Sequence, residues 1–216
     1  MPFTQACYHI EVRYLIGVDE AGRGALAGPV SVGAVLMPED FDWREAYALV
    51  TRHGEPRLRD SKQLTAQQRN VLYDYIASRA ILRHACAFVD AKVIDEIGIV
   101  NAAYEAASVA IGRLGANPEH IEIMLDAGLK APSQWVQHSY VRGDETYPAI
   151  AFASIVAKVS RDRLMESLPE DFAPYRFEDH KGYGTLAHRR SIKKYGLSVL
   201  HRSSFCSRIV GQLPGA

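Results

Sequence analysis

Apolar runs alternate with polar breaks along this chain, and the run lengths predict a layered α/β protein. Tyr14–Asp19 is short and mostly apolar and predicts a first strand; Pro29–Met37, after a glycine-rich turn, predicts a second. So short a connection favours an antiparallel hairpin. From Pro38 to Asp60 the chain is polar and irregular, with a short helix expected near Trp43–Val50. Thr65–Ala80 opens on an N-cap threonine and sets Val71, Leu72, Tyr75 and Ile76 on one face, which predicts a helix. Ile81–Val89 predicts a third strand. Val100–Leu114 is alanine-rich with apolar spacing near ~3.6 residues, the period of a buried helix. Ile121–Asp126 and Trp135–Arg142 predict two more strands. Ala149–Met165 predicts a long helix with small residues on one face, and Leu186–Tyr195 a basic helix.

Three consecutive strands followed by alternating helices and strands describe an antiparallel meander joined to parallel strands by crossover helices. The 216 residues suit one large domain, and the shift in composition after about Glu170 marks a helical appendage rather than a second domain. Lys+Arg and Asp+Glu balance at 25 each, so net charge selects no partner. The distribution is less even. After His180 there is no acid, while Lys181, Arg189, Arg190, Lys193, Lys194, Arg202 and Arg208 all follow. Nucleic-acid binders carry such a footprint, and so does a solvated helix face paired with acids elsewhere. Cys7, Cys86 and Cys206 are scattered and suit free thiols in a reducing, cytoplasmic setting. No apolar run is long enough to span a membrane, and no signal-peptide pattern is expected in the first fifteen residues.

Candidate chemistry lies where apolar runs meet acids. Leu15-Ile16-Gly17-Val18 leads into Asp19-Glu20 and then Ala21-Gly22-Arg23-Gly24. Asp126 closes another apolar run before Ala127-Gly128, and Asp144 follows Gly143 ahead of a helix. A carboxylate at such a place is costly unless a cation or hydrogen bonds compensate. Oxygen-only acidic ligands suit Mg²⁺ or Mn²⁺. Each acid alone also fits a turn or cap residue; the repeated local pattern favours a shared site. Neighbours in a strand point to opposite faces, so Asp19 and Glu20 are expected to meet only if the strand ends or bulges there. The eight histidines show no zinc spacing, and surface or capping roles are expected for His180 and His188. Neither a nucleophile elbow nor a Walker A loop is present in the sequence.

Six segments together resemble type 2 ribonuclease H, bacterial ribonuclease HII. They are GVDEAGRGALAGPV (Gly17–Val30), DSKQL (Asp60–Leu64), MLDAG (Met124–Gly128), GDETYPAIAFASIVAKVSRDRLM (Gly143–Met165), HKGYGT (His180–Thr185) and HRSSF (His201–Phe205). They occur in family order over most of the chain. The resemblance implies a ribonuclease-H-like mixed five-stranded sheet flanked by helices, with a basic C-terminal helical extension over about 171–216 that contacts duplex. It implies that Asp19, Glu20, Asp126 and Asp144 are the catalytic, metal-binding acids. It also implies that Gly22, Arg23 and Gly24 sense a ribose 2′-OH, that Lys62 meets a phosphate, and that the Tyr183 ring lies against the deoxyribose after the ribonucleotide. Ser154 and Lys158 fall in the matching helix without an assigned role.

The implied activity is cleavage of RNA·DNA hybrids and of single ribonucleotides embedded in duplex DNA, with Mg²⁺ or Mn²⁺, by a monomer. A structure-specific DNA nuclease and a non-catalytic nucleic-acid-binding module remain as alternatives. Gly98 and Ala103 stand where the family often has asparagine and threonine, in a helix that carries no ligand. Gln212–Ala216 lacks an aromatic pair of the kind that docks a sliding clamp, so that partner is not expected.

Overall fold

The computed structural model describes residues 13–211. Cys7, the segment read for a signal peptide up to residue 12, and the tail read for a clamp motif lie outside the described residues. In chain order the elements are β1 (Tyr14–Ala21), β2 (Val30–Pro38), α1 (Arg44–Ala48), α2 (Ala66–Ser78), β3 (Arg83–Val89), α3 (Ala91–Ile97), α4 (Ile99–Arg113), β4 (Ile121–Asp126), β5 (Gln137–Tyr140), α5 (Pro148–Glu166), α6 (Phe177–His180), α7 (Leu186–Tyr195) and α8 (Ser203–Val210). One five-stranded sheet runs in the order β3-β2-β1-β4-β5. β1 pairs antiparallel with β2, and β2 with β3; β4 lies parallel to both β1 and β5. The meander and the crossovers expected from the sequence are both present.

β2 is buried along its whole length because the sheet is covered on both faces. Val30, Val32, Ala34 and Leu36 pack with Ile16, Val18 and the alanines of α4. Val35 and Met37 face the other way, towards α2 and α5. On that second face the helix comes very close. A Cβ at Gly17 would overlap the Ala149 carbonyl, and one at Gly33 would overlap the Ala153 carbonyl. Glycines on the sheet and alanines on the helix therefore set how near α5 approaches β1 and β2. Thr65 caps α2 in a reciprocal box with Gln68, as its sequence suggests.

Several boundaries differ from expectation for local reasons. The helix expected from Val100 is preceded by a separate one, α3, and Gly98 at φ +80° breaks the two apart. β5 is shorter than the predicted Trp135–Arg142. Trp135 closes a turn on Pro132 and enters the core, and Arg142 takes a left-handed conformation at φ 56°. Beyond α5 the chain forms a 3-10 turn over Glu170–Tyr175 and then α6, α7 and α8. These pack through two small apolar clusters, one including Leu26 and the other Ala27. The C-terminal helices thus close onto the loop between β1 and β2, where Ala27 also bridges His201. The basic footprint is smaller than the sequence suggests: Arg202 is wholly buried and Lys181 pairs with Glu166, which leaves Arg189, Arg190, Lys193, Lys194 and Arg208 exposed.

Candidate active site

β1 does not end at Asp19. It runs on to Ala21 in unbroken register with β2, without a bulge. Pairing with β4, however, stops at Val18↔Leu125, so the β4 side of β1 is open from Asp19 onward. Asp126 is the last residue of β4 and lies one register step past that pair. Asp19 shares its pleat face with Gly17, on the α5 side, and Glu20 shares its face with Val18, on the α4 side. Their carboxylates nevertheless meet at the open edge: oxygens of Asp19, Glu20 and Asp126 all lie within 4.8 Å of one another. Asp19 Oδ1 turns back to accept the Glu20 backbone N–H at 2.7 Å. The expectation of a strand end or bulge is therefore corrected: a half-unpaired edge does the same work.

Asp144 lies outside that close set. It stands in a 3-10 turn over Gly143–Glu145, beyond β5 rather than at a strand end. The turn is tied to the cluster because the Gly143 N–H donates to Asp126 Oδ1 at 3.0 Å. Burial raises the Asp144 carboxyl to about 6, with the charges of Asp60 and Asp126 adding to the rise and Lys62 opposing it. Burial also pushes Asp19 well above the usual carboxylate range, helped by the Glu20 charge, and raises Glu20 despite Arg23. Lys62 goes the other way: burial pulls its ammonium down, but Asp60, Asp19 and Asp144 outweigh this and raise it.

The donor set fits a hard divalent cation. It consists of carboxylate oxygens, and one of them, Glu20 Oε2, is buried without a hydrogen-bond partner. An unsatisfied buried carboxylate oxygen is costly, and a cation would satisfy it while restoring ordinary ionisation to its neighbours.

A cleft of about 400 Å³ opens beside the acids, lined among others by Glu20, Gly22, Arg23, Gly24, Lys62 and Tyr183. The residues read as substrate contacts thus share one cavity with one of the acids. Gly22 needs to be glycine, since φ is +85° and a Cβ would meet the Arg161 side chain. At Gly24 a Cβ would meet nothing within 4 Å, so only the cleft itself gains from its bareness. Arg23 Nη1 reaches Glu20 Oε1 at 3.3 Å. Ser154 donates to Ser61 Oγ at 3.0 Å, and Lys158 pairs with Asp162 at 2.6 Å while lying 5.5 Å from the Tyr183 ring centroid.

Two buried arginines brace this wall, and the sequence reading missed both. Arg161 donates to the carbonyls of Pro29, Ala27 and Lys181 at 2.8, 3.0 and 2.8 Å. Arg202 donates twice to the Gly28 carbonyl, at 3.0 and 2.9 Å, and to that of Arg23 at 2.9 Å. Arg161 ties the β1–β2 loop to the loop carrying Tyr183, and Arg202 ties it to the start of α8. The signal available in the sequence was an arginine inside the otherwise small and apolar face of α5. Two histidines depart from expectation: His180 and His188, expected at the surface or in caps, are buried behind Tyr183, together with His201. Burial lowers His188 and His201 to about 4, and lowers His180 too, so all three stay neutral at neutral pH.

Comparison with known proteins agrees with this architecture. Residues 16–208 match the family model described as Ribonuclease HII. Ribonuclease HII of Acetivibrio thermocellus is 40% identical over 209 residues, covering 96% of this chain and 75% of that protein. Ribonuclease HII of Bacillus cereus is 42% identical over 192 residues, covering 89% and 68% respectively. Among solved structures, ribonuclease H2 of Pyrococcus horikoshii aligns with a TM-score of 0.67 at 26% identity, over 92% of this chain and 98% of that one.

Proposed function

The chain belongs to the ribonuclease HII family of nucleases, and from that premise we propose that it is a metal-dependent endoribonuclease acting on RNA·DNA hybrids and on single ribonucleotides embedded in duplex DNA. One observation carries the reading: carboxylates of Asp19, Glu20 and Asp126 converge at the open end of β1, against a cleft walled by bare glycine backbone. Asp19, Glu20, Asp126 and Asp144 would hold Mg²⁺ or Mn²⁺. Bound there, divalent cations supply an activated water and charge stabilisation at the scissile phosphate and its leaving oxygen.

The chain's own residues do the rest. The backbone of Gly22, Arg23 and Gly24 approaches the sugar, and a ribose 2′-OH, both donor and acceptor, is the group that distinguishes RNA from DNA there. Lys62 offers its charge to a phosphate. The Tyr183 ring lies against the sugar that follows the ribonucleotide, flanked by Lys158 and Arg161 at 5.5 and 5.3 Å. Exposed Arg189, Arg190, Lys193, Lys194 and Arg208 supply positive charge for the duplex backbone. Cleavage on the 5′ side of the ribonucleotide leaves a 3′-OH and a 5′-phosphate.

The test is an end-labelled DNA duplex carrying one ribonucleotide, incubated with Mg²⁺, Mn²⁺ or chelator, beside Asp126→Ala. The expected result is a metal-dependent cut 5′ of the ribonucleotide that the variant and an all-DNA duplex both lack. Cutting of all-DNA duplex would favour the DNA-nuclease reading. Binding without cutting in either metal would leave a nucleic-acid-binding module.

A further inference from the structure

Behind Tyr183 the buried histidines form a hydrogen-bond chain whose polarity can be assigned. The Ser198 backbone N–H can only donate, and it reaches His201 Nδ1 at 2.9 Å. In the neutral ring, His201 Nε2 therefore carries the proton. That nitrogen lies 3.1 Å from His188 Nε2, which must accept. His188 then carries its proton on Nδ1, 3.0 Å from the Tyr183 carbonyl, which can only accept. His180 is fixed the same way: Nδ1 accepts the Gly182 N–H at 3.2 Å and Nε2 donates to the Tyr175 carbonyl at 2.9 Å. His180 also stacks on His188, with ring centroids 4.3 Å apart. His201 Nδ1 also lies 2.9 Å from Ser198 Oγ, a hydroxyl that can turn to donate alongside the backbone N–H; every ring nitrogen then has a partner of the right kind, and only the neutral rings allow it.

We propose that His188 and His201 are positioning residues for substrate recognition: their one-way relay from Ser198 holds the Tyr183 backbone, and so fixes the ring, at the wall of the cleft. The inference rests on the functional reading above. The loop needs such a brace. Lys181 and Gly182 both take left-handed backbone, at φ 51° and +80°, immediately before the tyrosine. The surroundings keep the rings neutral. Phe177 packs edge-on to His188 at 5.4 Å and Tyr175 lies 4.9 Å from His201; at His180 the Asp179 and Glu178 charges favour a protonated ring, but burial outweighs them and Lys181 adds to the lowering. A proton added to His188 or His201 would set two donors face to face across the Nε2 pair. The depressed histidine values place that event well below neutral pH.

Two measurements test this. Imidazole ¹⁵N shifts of the full chain at neutral pH should show the Nδ1–H tautomer at His188 and the Nε2–H tautomer at His201; the reverse assignment at either ring would overturn the relay. In kinetics, His188→Phe removes the donor to Tyr183, and His188→Asn restores an N–H near the Nδ1 position. His188→Phe should lower kcat/KM at a single ribonucleotide about tenfold, the worth of one hydrogen bond. The loss should appear mainly in KM, and His188→Asn should recover most of it even though both variants lose some thermal stability. His201→Gln keeps a donor towards His188 and should fall between them. Equal activity of His188→Phe and the unmutated chain would overturn the positioning role while leaving the nuclease reading intact. Failure of the unmutated chain to cut at a ribonucleotide would remove that reading, and the positioning role with it.

Discussion

Asp144→Asn should stabilise the protein in the absence of metal. In the folded state the Asp144 carboxyl is raised from 3.8 to about 6, first by burial and then by Asp60 and Asp126, with Lys62 opposing. A folded value above the ordinary one means that the ionised form opposes folding. The cost is present in full above about pH 6 and disappears as pH falls from there towards 3.8. At about 1.36 kcal/mol per unit the rise corresponds to roughly 3 kcal/mol. Water at the mouth of the cleft screens part of this, which leaves about 1–2 kcal/mol. For a chain of this size that is a Tm gain of roughly 3–6 °C.

The assay is thermal unfolding of both proteins in chelator, from about pH 8 to pH 5. The variant should melt higher at pH 8, and the gap should narrow by roughly half at pH 5 as the wild-type carboxyl takes up its proton. Adding Mn²⁺ should then reverse the order, because a cation held by the wild-type acids stabilises by mass action what the amide holds less well. A variant that melts no higher than wild type at pH 8 in chelator, or a gap that stays constant across the range, would refute the electrostatic account of this site.

Gly24→Ala should leave Tm unchanged within about 0.5 kcal/mol of stability yet lower cleavage at a ribonucleotide at least tenfold, since its Cβ meets open cleft and no protein atom; a steady-state assay beside a melt checks both halves. Gly17→Ala should do the opposite, costing about 3 kcal/mol by forcing α5 off the sheet, which a denaturant melt in chelator measures directly. Arg202→Met should cost about 3 kcal/mol or more by orphaning the Gly28 and Arg23 carbonyls, with amide hydrogen exchange accelerating across Gly22–Gly28.

Where side-chain periodicity carries the information, the sequence reads well. The β1–β2 hairpin, the β4 strand and α7 follow from apolar spacing and caps that involve neighbours along the chain. The acids Asp19, Glu20 and Asp126 were legible for a related reason, since an acid closing an apolar run is a local conflict that only something outside the run resolves. The polar scaffold behind the cleft was not legible. Arg161 bonds Ala27 across 134 positions, Arg202 bonds Gly28 across 174, and His188 meets His201 across 13. No propensity or period encodes such bonds, and the basic residue at 202 even counted towards a surface it does not occupy.

Their location follows from the topology. The sheet ladder stops at Val18 on the β4 side, so the loops beyond it have no strand to satisfy their carbonyls. Buried guanidinium and imidazole groups take over, each supplying donors in fixed directions. That substitution gives the cleft a rigid wall without closing it with another strand, and an open edge is what lets three carboxylates and a run of bare backbone face the same space. The polar residues hardest to place by composition, an arginine within an apolar helix and histidines beside glycine, are therefore the ones that hold the candidate site in shape.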